Sequence, residues 1–336
     1  MILRVDRLMT ELPIPNGPSP NGAAAVQELM GGKFGEMSTL MNYTMQSFNL
    51  RGRSQVRPFY DLIANIAAEE FGHVELVTYT INLLLTGATD RNPDPVAAPL
   101  AGAENARNSY HYIATGQQAV CGDSQGNFWS GDNVFSSGNL KLDLLHNFFL
   151  ECGARANKIR VYEMVSDPTA RAMVGFLLVR GGVHIVAYAK ALEKLSGVPV
   201  GKLLPIPDIS NKRFPEAARH EAQGLHRILY RFSPDDYKRI TEVWTGDHPE
   251  DGQPLEVRDG PPEGAPPPDL DAEPQLTAPT GPDNEQLDPD MLTHYAKRMF
   301  GSDVAGIARD RAKRADAEPP GGAPRRADAK AKHRPG

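Results

Sequence analysis

The sequence predicts an all-α protein: a four-helix bundle with one long crossover and an extended C-terminal arm. Three observations carry that class. Four long segments repeat apolar residues at helical spacing, they fall into two pairs with short links, and about fifty residues, Thr86 to Ser136, separate the pairs. Short links make the partners antiparallel neighbours, and a single long crossover is the ferritin-like way of joining such pairs.

The first segment, about Ala23 to Arg51, reads as one helix, and the second runs from about Arg57 to Leu85. The third spans about Ser137 to Val165, with Ser137 as its expected N-cap. The fourth spans about Pro168 to Leu195, where Asp167 caps, Pro168 takes the first helical position and the following "SGV" ends the helix. Part of the crossover, "AGAENARNSYHYIATGQQA", can form a helix of its own. The expected organisation is a bundle with its N-terminal segment over 1–200, an irregular arm with short helices over 201–300, and a disordered tail over 301–336. From Gly246 the arm is rich in proline, glycine and acid, which suits an extended strap on the bundle or on a neighbour; a short helix is expected near Asp288 to Phe300.

Composition removes several function classes. The 336 residues are 40% hydrophobic and 23% charged, with a net charge of -6, so no basic field is available to hold nucleic acid. Charges at Arg4, Asp6, Arg7 and Glu11 break the N-terminus, and two cysteines make no disulfide framework, so a cytoplasmic protein is expected. Arg180 and His184 interrupt the most apolar region, and no membrane span is expected.

Metal-ligand residues fall once per helix: Glu36 on the first, Glu70 and His73 on the second, Glu151 on the third and His184 on the fourth. Glu70 and His73 are three apart and share a helical face. Each alone is a weak signal, because a lone buried histidine is usually a satisfied core residue. Together they form a pseudo-repeat, with 115 residues from Glu36 to Glu151 and 111 from His73 to His184. That is the di-metal carboxylate pattern of ferritin-like bundles. The full pattern would place another glutamate three residues before His184, where this chain has Gly181. Three carboxylates against two divalent ions leave bridging positions to solvent, which can lose and regain protons across a two-electron change. Such a site suits hydrogen peroxide, which both gives and takes two electrons.

Helical spacing adds candidates around the ligands. Tyr43, seven after Glu36, can orient a carboxylate, while Arg155 and Lys158, four and seven after Glu151, can line an approach. Glu69 and Glu75 fall off the Glu70/His73 face and read as solvated or structural, and His111, His146, His220 and His226 are not assigned to this metal site. Close helix packing is the expectation for Gly182.

The strings "GGKFGEMSTLMNY", "DLIANIAAEEFGHVELV", "SGNLKLDLLHNFFLE", "KIRVYEM", "LLVRGGVH", "LPIPDISNKRFPEA", "LYRFSPDDY" and "DGPP" closely resemble manganese catalases, from Met1 to about Pro262. That resemblance implies two manganese ions per subunit, bridged by Glu70, with Glu36 and His73 on one and Glu151 and His184 on the other. It implies disproportionation of hydrogen peroxide to water and dioxygen, cycling between Mn(II)2 and Mn(III)2, in a homohexamer embraced by C-terminal arms. Some members hold calcium near the second helix, to which Asp61 could contribute, although Asn65 one turn on weakens the case. Gly181 departs from members that carry a glutamate there, and the chain from about Gly301 matches nothing in the family. Two other readings keep the bundle: a di-iron ferroxidase or oxygen-activating enzyme, which the missing carboxylate disfavours, and a non-catalytic storage or structural brick, for which five aligned ligands would be unnecessary.

Overall fold

The structure, a computed structural model, describes residues 6–85, 106–115, 117–202, 208–268, 294–295 and 297–299. The chain divides into two units, Met1–Pro274 and Gln275–Gly336. Expectations for 86–105, the arm beyond 268 and the tail from 301 lie outside the described residues; 294–295 and 297–299, within the expected short helix, are helical.

The first expected helix is two. α1 (Pro20–Gly31) and α2 (Glu36–Asn49) are separated by "GKFG", where Gly32 and Gly35 are both extended, and the crossover chain passes close to the end of α1. A Cβ on Gly31 would stand 2.4 Å from the Gly122 carbonyl oxygen, so only glycine lets that segment pass, and Gln27 Nε2 donates to Val120 O and Gly122 O to hold it there. The break makes Glu36 the first residue of α2.

α3 (Phe59–Leu85), α5 (Leu140–Met164) and α6 (Pro168–Ser196) complete the bundle. The crossover helix α4 is a single turn, Tyr110–Ile113. Asp167 caps α6 through Thr169 N and Ala170 N, and Gly197, at φ 72°, ends it. The expected N-cap of α5 is corrected. Asn139 caps Lys141 N and Leu142 N, because left-handed Gly138 turns the chain first, and Ser137 donates its hydroxyl to Asp143 instead.

Two apolar clusters stack along the bundle with a polar layer between them. On α3 one holds Leu62, Ile63 and Ile66 and the other Leu76, Val77 and Ile81; on α6 one holds Val183, Ile185 and Tyr188 and the other Met173, Val174 and Leu177. Between them lie Glu69, Glu70, His73, Arg180 and His184, all buried. By length and composition α6 could cross a membrane, yet its apolar window is wholly buried inside the protein, as in a core helix.

Residues 208–268 add a short helix, α7 (Pro215–Ala222), and two four-residue strands, β1 (Ile228–Arg231) and β2 (Glu256–Asp259), paired in parallel from Ile228 with Glu256 to Arg231 with Asp259. Asn65 on α3 pins β1 by donating to Tyr230 O and accepting from Phe232 N. The proline-rich stretch returns to its own N-terminal segment, where Leu8 and Ala265 exchange backbone hydrogen bonds of 2.7 and 3.0 Å. Gly264 (φ 59°) makes that approach possible, since a Cβ there would fall 1.9 Å from Leu8 O.

Candidate metal centre

The polar layer gathers all five expected ligands. Glu36, Glu70 and His73 form one group and Glu70, Glu151 and His184 a second, each with donor atoms within 4.8 Å of one another. Glu70 is common to both. Its Oε2 lies 3.1 Å from His73 Nδ1 and its Oε1 2.8 Å from His184 Nδ1, so its two oxygens face opposite halves. Glu36 Oε2 stands 3.4 Å from His73 Nδ1, and Glu151 Oε1 3.2 Å from His184 Nδ1. The two imidazoles are stacked with centroids 5.6 Å apart.

Glu69 is not solvated. It is fully buried, with one oxygen 3.7 Å from His73 Nε2 and the other 3.4 Å from His184 Nε2. These are charge contacts and not hydrogen bonds, and the negative charge behind the rings favours the proton on each Nε2 and leaves each Nδ1 toward the centre. Arg180 holds Glu69 with two bonds, Nε to Oε1 at 2.6 Å and Nη2 to Oε2 at 3.1 Å, and donates to Leu225 O and Ile228 O. Burial works against the Glu69 charge, but Arg180 and then His184 outweigh it and hold its pKa well below the carboxylate range.

Three further groups orient the carboxylates. Tyr43 donates to Glu151 Oε1 at 2.8 Å, as its position on α2 suggested, and Thr39 donates to Glu70 Oε2 at 2.9 Å. Burial, then Glu151, pushes the Tyr43 pKa well above its usual value and keeps the hydroxyl a donor. Lys158 Nζ lies 2.7 Å from Glu36 Oε1; burial would lower its pKa, yet Glu36, Glu151 and Glu70 raise it and keep the ammonium.

Arg155 does not join them. It is buried on the other side of α5, donating to Asp208 O, Ser210 O and Asn211 Oδ1, so it fastens the 208–211 segment to the bundle. Gly182 is corrected too, because a Cβ there would meet nothing within 4 Å and helix packing does not require the glycine. A Cβ on Gly181 would have Lys158 Nζ, at 3.9 Å, as its nearest neighbour. Asp61 is buried away from this layer, with Oδ1 3.3 Å from Arg57 Nε and Oδ2 accepting from Arg239 N.

These donors fit a cation pair. With neutral imidazoles the layer holds four carboxylates (Glu36, Glu69, Glu70, Glu151) against two cations (Lys158, Arg180), a buried negative excess. Glu36 Oε2 and Glu151 Oε2 are buried without a hydrogen-bond partner. Burial disfavours charge on His73, but Glu70 first, then Glu36 and Glu69, push its pKa up to about 10. A field that draws a proton to that nitrogen draws a metal ion as well.

Sequence reasoning missed Arg180, Glu69, Thr39 and Tyr188, whose ring packs 5.3 Å from that of Tyr43. One signal could have found the first two: Glu69 and Arg180 are 111 apart, the offset that relates His73 to His184.

Residues 1–292 match the family described as manganese containing catalase. A manganese catalase of Bacillus subtilis is 32% identical over 247 residues, 72% of this chain and 85% of that protein. One of Lactiplantibacillus plantarum is 33% identical over 186 residues, 54% of this chain and 67% of that one. A solved manganese catalase from Anabaena is 24% identical, covers 70% of this chain and 93% of its own, and superposes with a TM-score of 0.49. A buried layer of carboxylates and imidazoles shared between two bundle halves and a match along most of its length together place this chain in the manganese-containing catalase family.

Proposed function

We propose that this protein is a dimanganese catalase that converts two hydrogen peroxide molecules into two waters and one dioxygen. The observation that carries the two-ion reading is Glu70, whose oxygens address His73 on one side and His184 on the other. Glu36 and His73 would hold one manganese, Glu151 and His184 the second, with Glu70 bridging. The manganese pair would supply the two-electron store that takes electrons from one peroxide and returns them to another. The protein's part is positional and protonic. Tyr43 and Thr39 orient Glu151 and Glu70, Glu69 sets the tautomer of both imidazoles, and Lys158 Nζ holds a proton beside Glu36. The space at Gly181 leaves room for a small substrate beside that ammonium.

The same reading includes a homohexamer in the cytoplasm. Phe48, Phe149 and Leu142 are exposed on the single chain and would be covered by neighbours, while Cys121 and Cys152 are free thiols, as a reducing compartment favours. Calcium at Asp61 has less support, because Arg57 and the Arg239 amide already engage its oxygens.

Metal analysis joined to oxygen release tests the reading. Two manganese per chain and dioxygen evolved on adding peroxide are expected; iron without oxygen release would overturn it and favour the oxygen-activating alternative. Gly181→Glu is expected to lower peroxide turnover by roughly tenfold or more, a barrier change of about 1.4 kcal/mol. The new carboxylate would fill the open space and compete with Glu36 for Lys158 Nζ. Unchanged turnover in that variant would show that this space is not used.

A further inference from the structure

We infer that His226, His248 and Asp251 form a second, mononuclear cation site of the zinc class, outside the dinuclear layer. One donor atom of each lies within 4.8 Å of the other two. His226 Nε2 is 2.8 Å from Asp251 Oδ2, and His248 Nδ1 is 3.7 Å from Asp251 Oδ1. Around a tetrahedral ion with bonds of about 2.0 Å, neighbouring donors stand about 3.3 Å apart. The two observed spacings, one to each oxygen of Asp251, lie on either side of that value, and with all three donors within 4.8 Å of one another a rotation of the side chains would seat an ion.

Donor chemistry and local structure agree with this. Two imidazoles and one carboxylate suit zinc and its borderline neighbours better than calcium or magnesium, which take oxygen ligands, and three protein donors leave a fourth position to solvent. His226 sits in the 3-10 turn Leu225–Arg227. His248 and Asp251 sit in a loop closed by His248 N to Gln253 O (2.8 Å) and Gly252 N to His248 O (3.0 Å). Asp251 Oδ1 also accepts from Gln253 N, which fixes the carboxylate toward the rings. The imidazoles meet edge to face with centroids 4.9 Å apart.

His248 is buried, and its Nδ1 accepts a long 3.3 Å contact from Glu250 N, which an ion at that nitrogen would displace. His226 faces Asp251 through Nε2, and ligation there would move the ring proton to Nδ1, which is buried without a hydrogen-bond partner. Arg227 Nε, 3.7 Å from Asp251 Oδ2, opposes a cation and sets the affinity below that of an all-anionic cage. An ion here would join the 247–253 loop to the turn whose Leu225 carbonyl receives Arg180.

The test is titration of the manganese-loaded full chain with Zn2+ and separately with Co2+, read by metal analysis after desalting and by cobalt absorption bands. One further equivalent per chain is expected, with cobalt bands of a histidine-ligated tetrahedral ion. H226Q and D251N should each weaken that uptake at least tenfold while keeping manganese content and circular dichroism. In an E70A background, which removes the bridging carboxylate of the dinuclear centre, adding H226Q should still subtract one equivalent of zinc. That subtraction separates this site from the dimanganese reading, since either can fail alone. No further equivalent, or one that both H226Q and D251N keep at full affinity, overturns the site and leaves the cluster as a hydrogen-bonded staple.

Discussion

If the proposed dimanganese centre is built as described, Glu70→Ala is expected to strip both ions from the protein, leaving under about a tenth of the metal after dialysis and no measurable oxygen release. Glu70 is the only carboxylate shared by both donor groups, and each of its oxygens faces a different imidazole. Its loss leaves each half with one carboxylate and one imidazole from the protein. Removing even a partner behind a ligand typically costs 10–100-fold in metal affinity, so removing the shared ligand costs more on both sides. Alanine is the best helix former and takes a buried charge out of mid-helix, so α3 should persist and circular dichroism should stay helical. Glu36→Ala is the matched control, since Glu36 belongs to one group alone and its loss should weaken one ion. A Glu70→Ala protein that retains two manganese per chain would refute the bridge.

Why the five expected ligands were legible while Glu69, Arg180 and Thr39 were not follows from how each is buried. α3, α5 and α6 have continuous apolar periodicity, and their ligands recur at matched offsets, so spacing finds them. The break after Gly31 falls in "GGKFG", where Gly32 leaves the helix in an extended conformation, while the approach of the distant Gly122 carbonyl to Gly31 is a contact that no periodicity reports. Glu69 was misplaced for a different reason. Helical-face reasoning puts it about 100° from Glu70, hence toward solvent or a structural contact, and it is the second that holds, since Arg180 meets the buried Glu69 from α6. α6 is buried nearly all round, so no face of it is a solvent face and Arg180 cannot be read as a surface charge. Lys158 and Tyr43 lie beside Glu36 and Glu151 because seven residues is close to two helical turns, whereas Arg155 does not, because four residues overshoots one turn toward the 208–211 segment.

Arg180→Met carries the largest expected stability effect. The guanidinium is fully buried, joins Glu69 through two bonds and satisfies two backbone carbonyls. Breaking a buried pair by removing one partner typically costs about 3–5 kcal/mol, because the remaining charge is left without compensation. At about 2–4 °C per kcal/mol for a domain of 150–250 residues, the melting temperature should fall by roughly 10 °C. The sign of its pH dependence separates lost charge pairing from lost packing. In the parent, Glu69 is held below its ordinary pKa, so its contribution is present at neutral pH and is lost as pH falls through that lowered value. In Arg180→Met, burial without the cation moves the Glu69 pKa upward, and the carboxyl becomes neutral as pH falls. The gap in melting temperature between parent and variant should therefore narrow from pH 7 toward pH 5. Adding Glu69→Gln to Arg180→Met should recover much of the loss at pH 7 by removing the orphaned charge, while metal affinity stays low because Gln cannot offer two acceptors to His73 and His184. A gap independent of pH, with no recovery in the double variant, would mean that Arg180 acts through volume and its carbonyl contacts, and that Glu69 does not depend on it for charge.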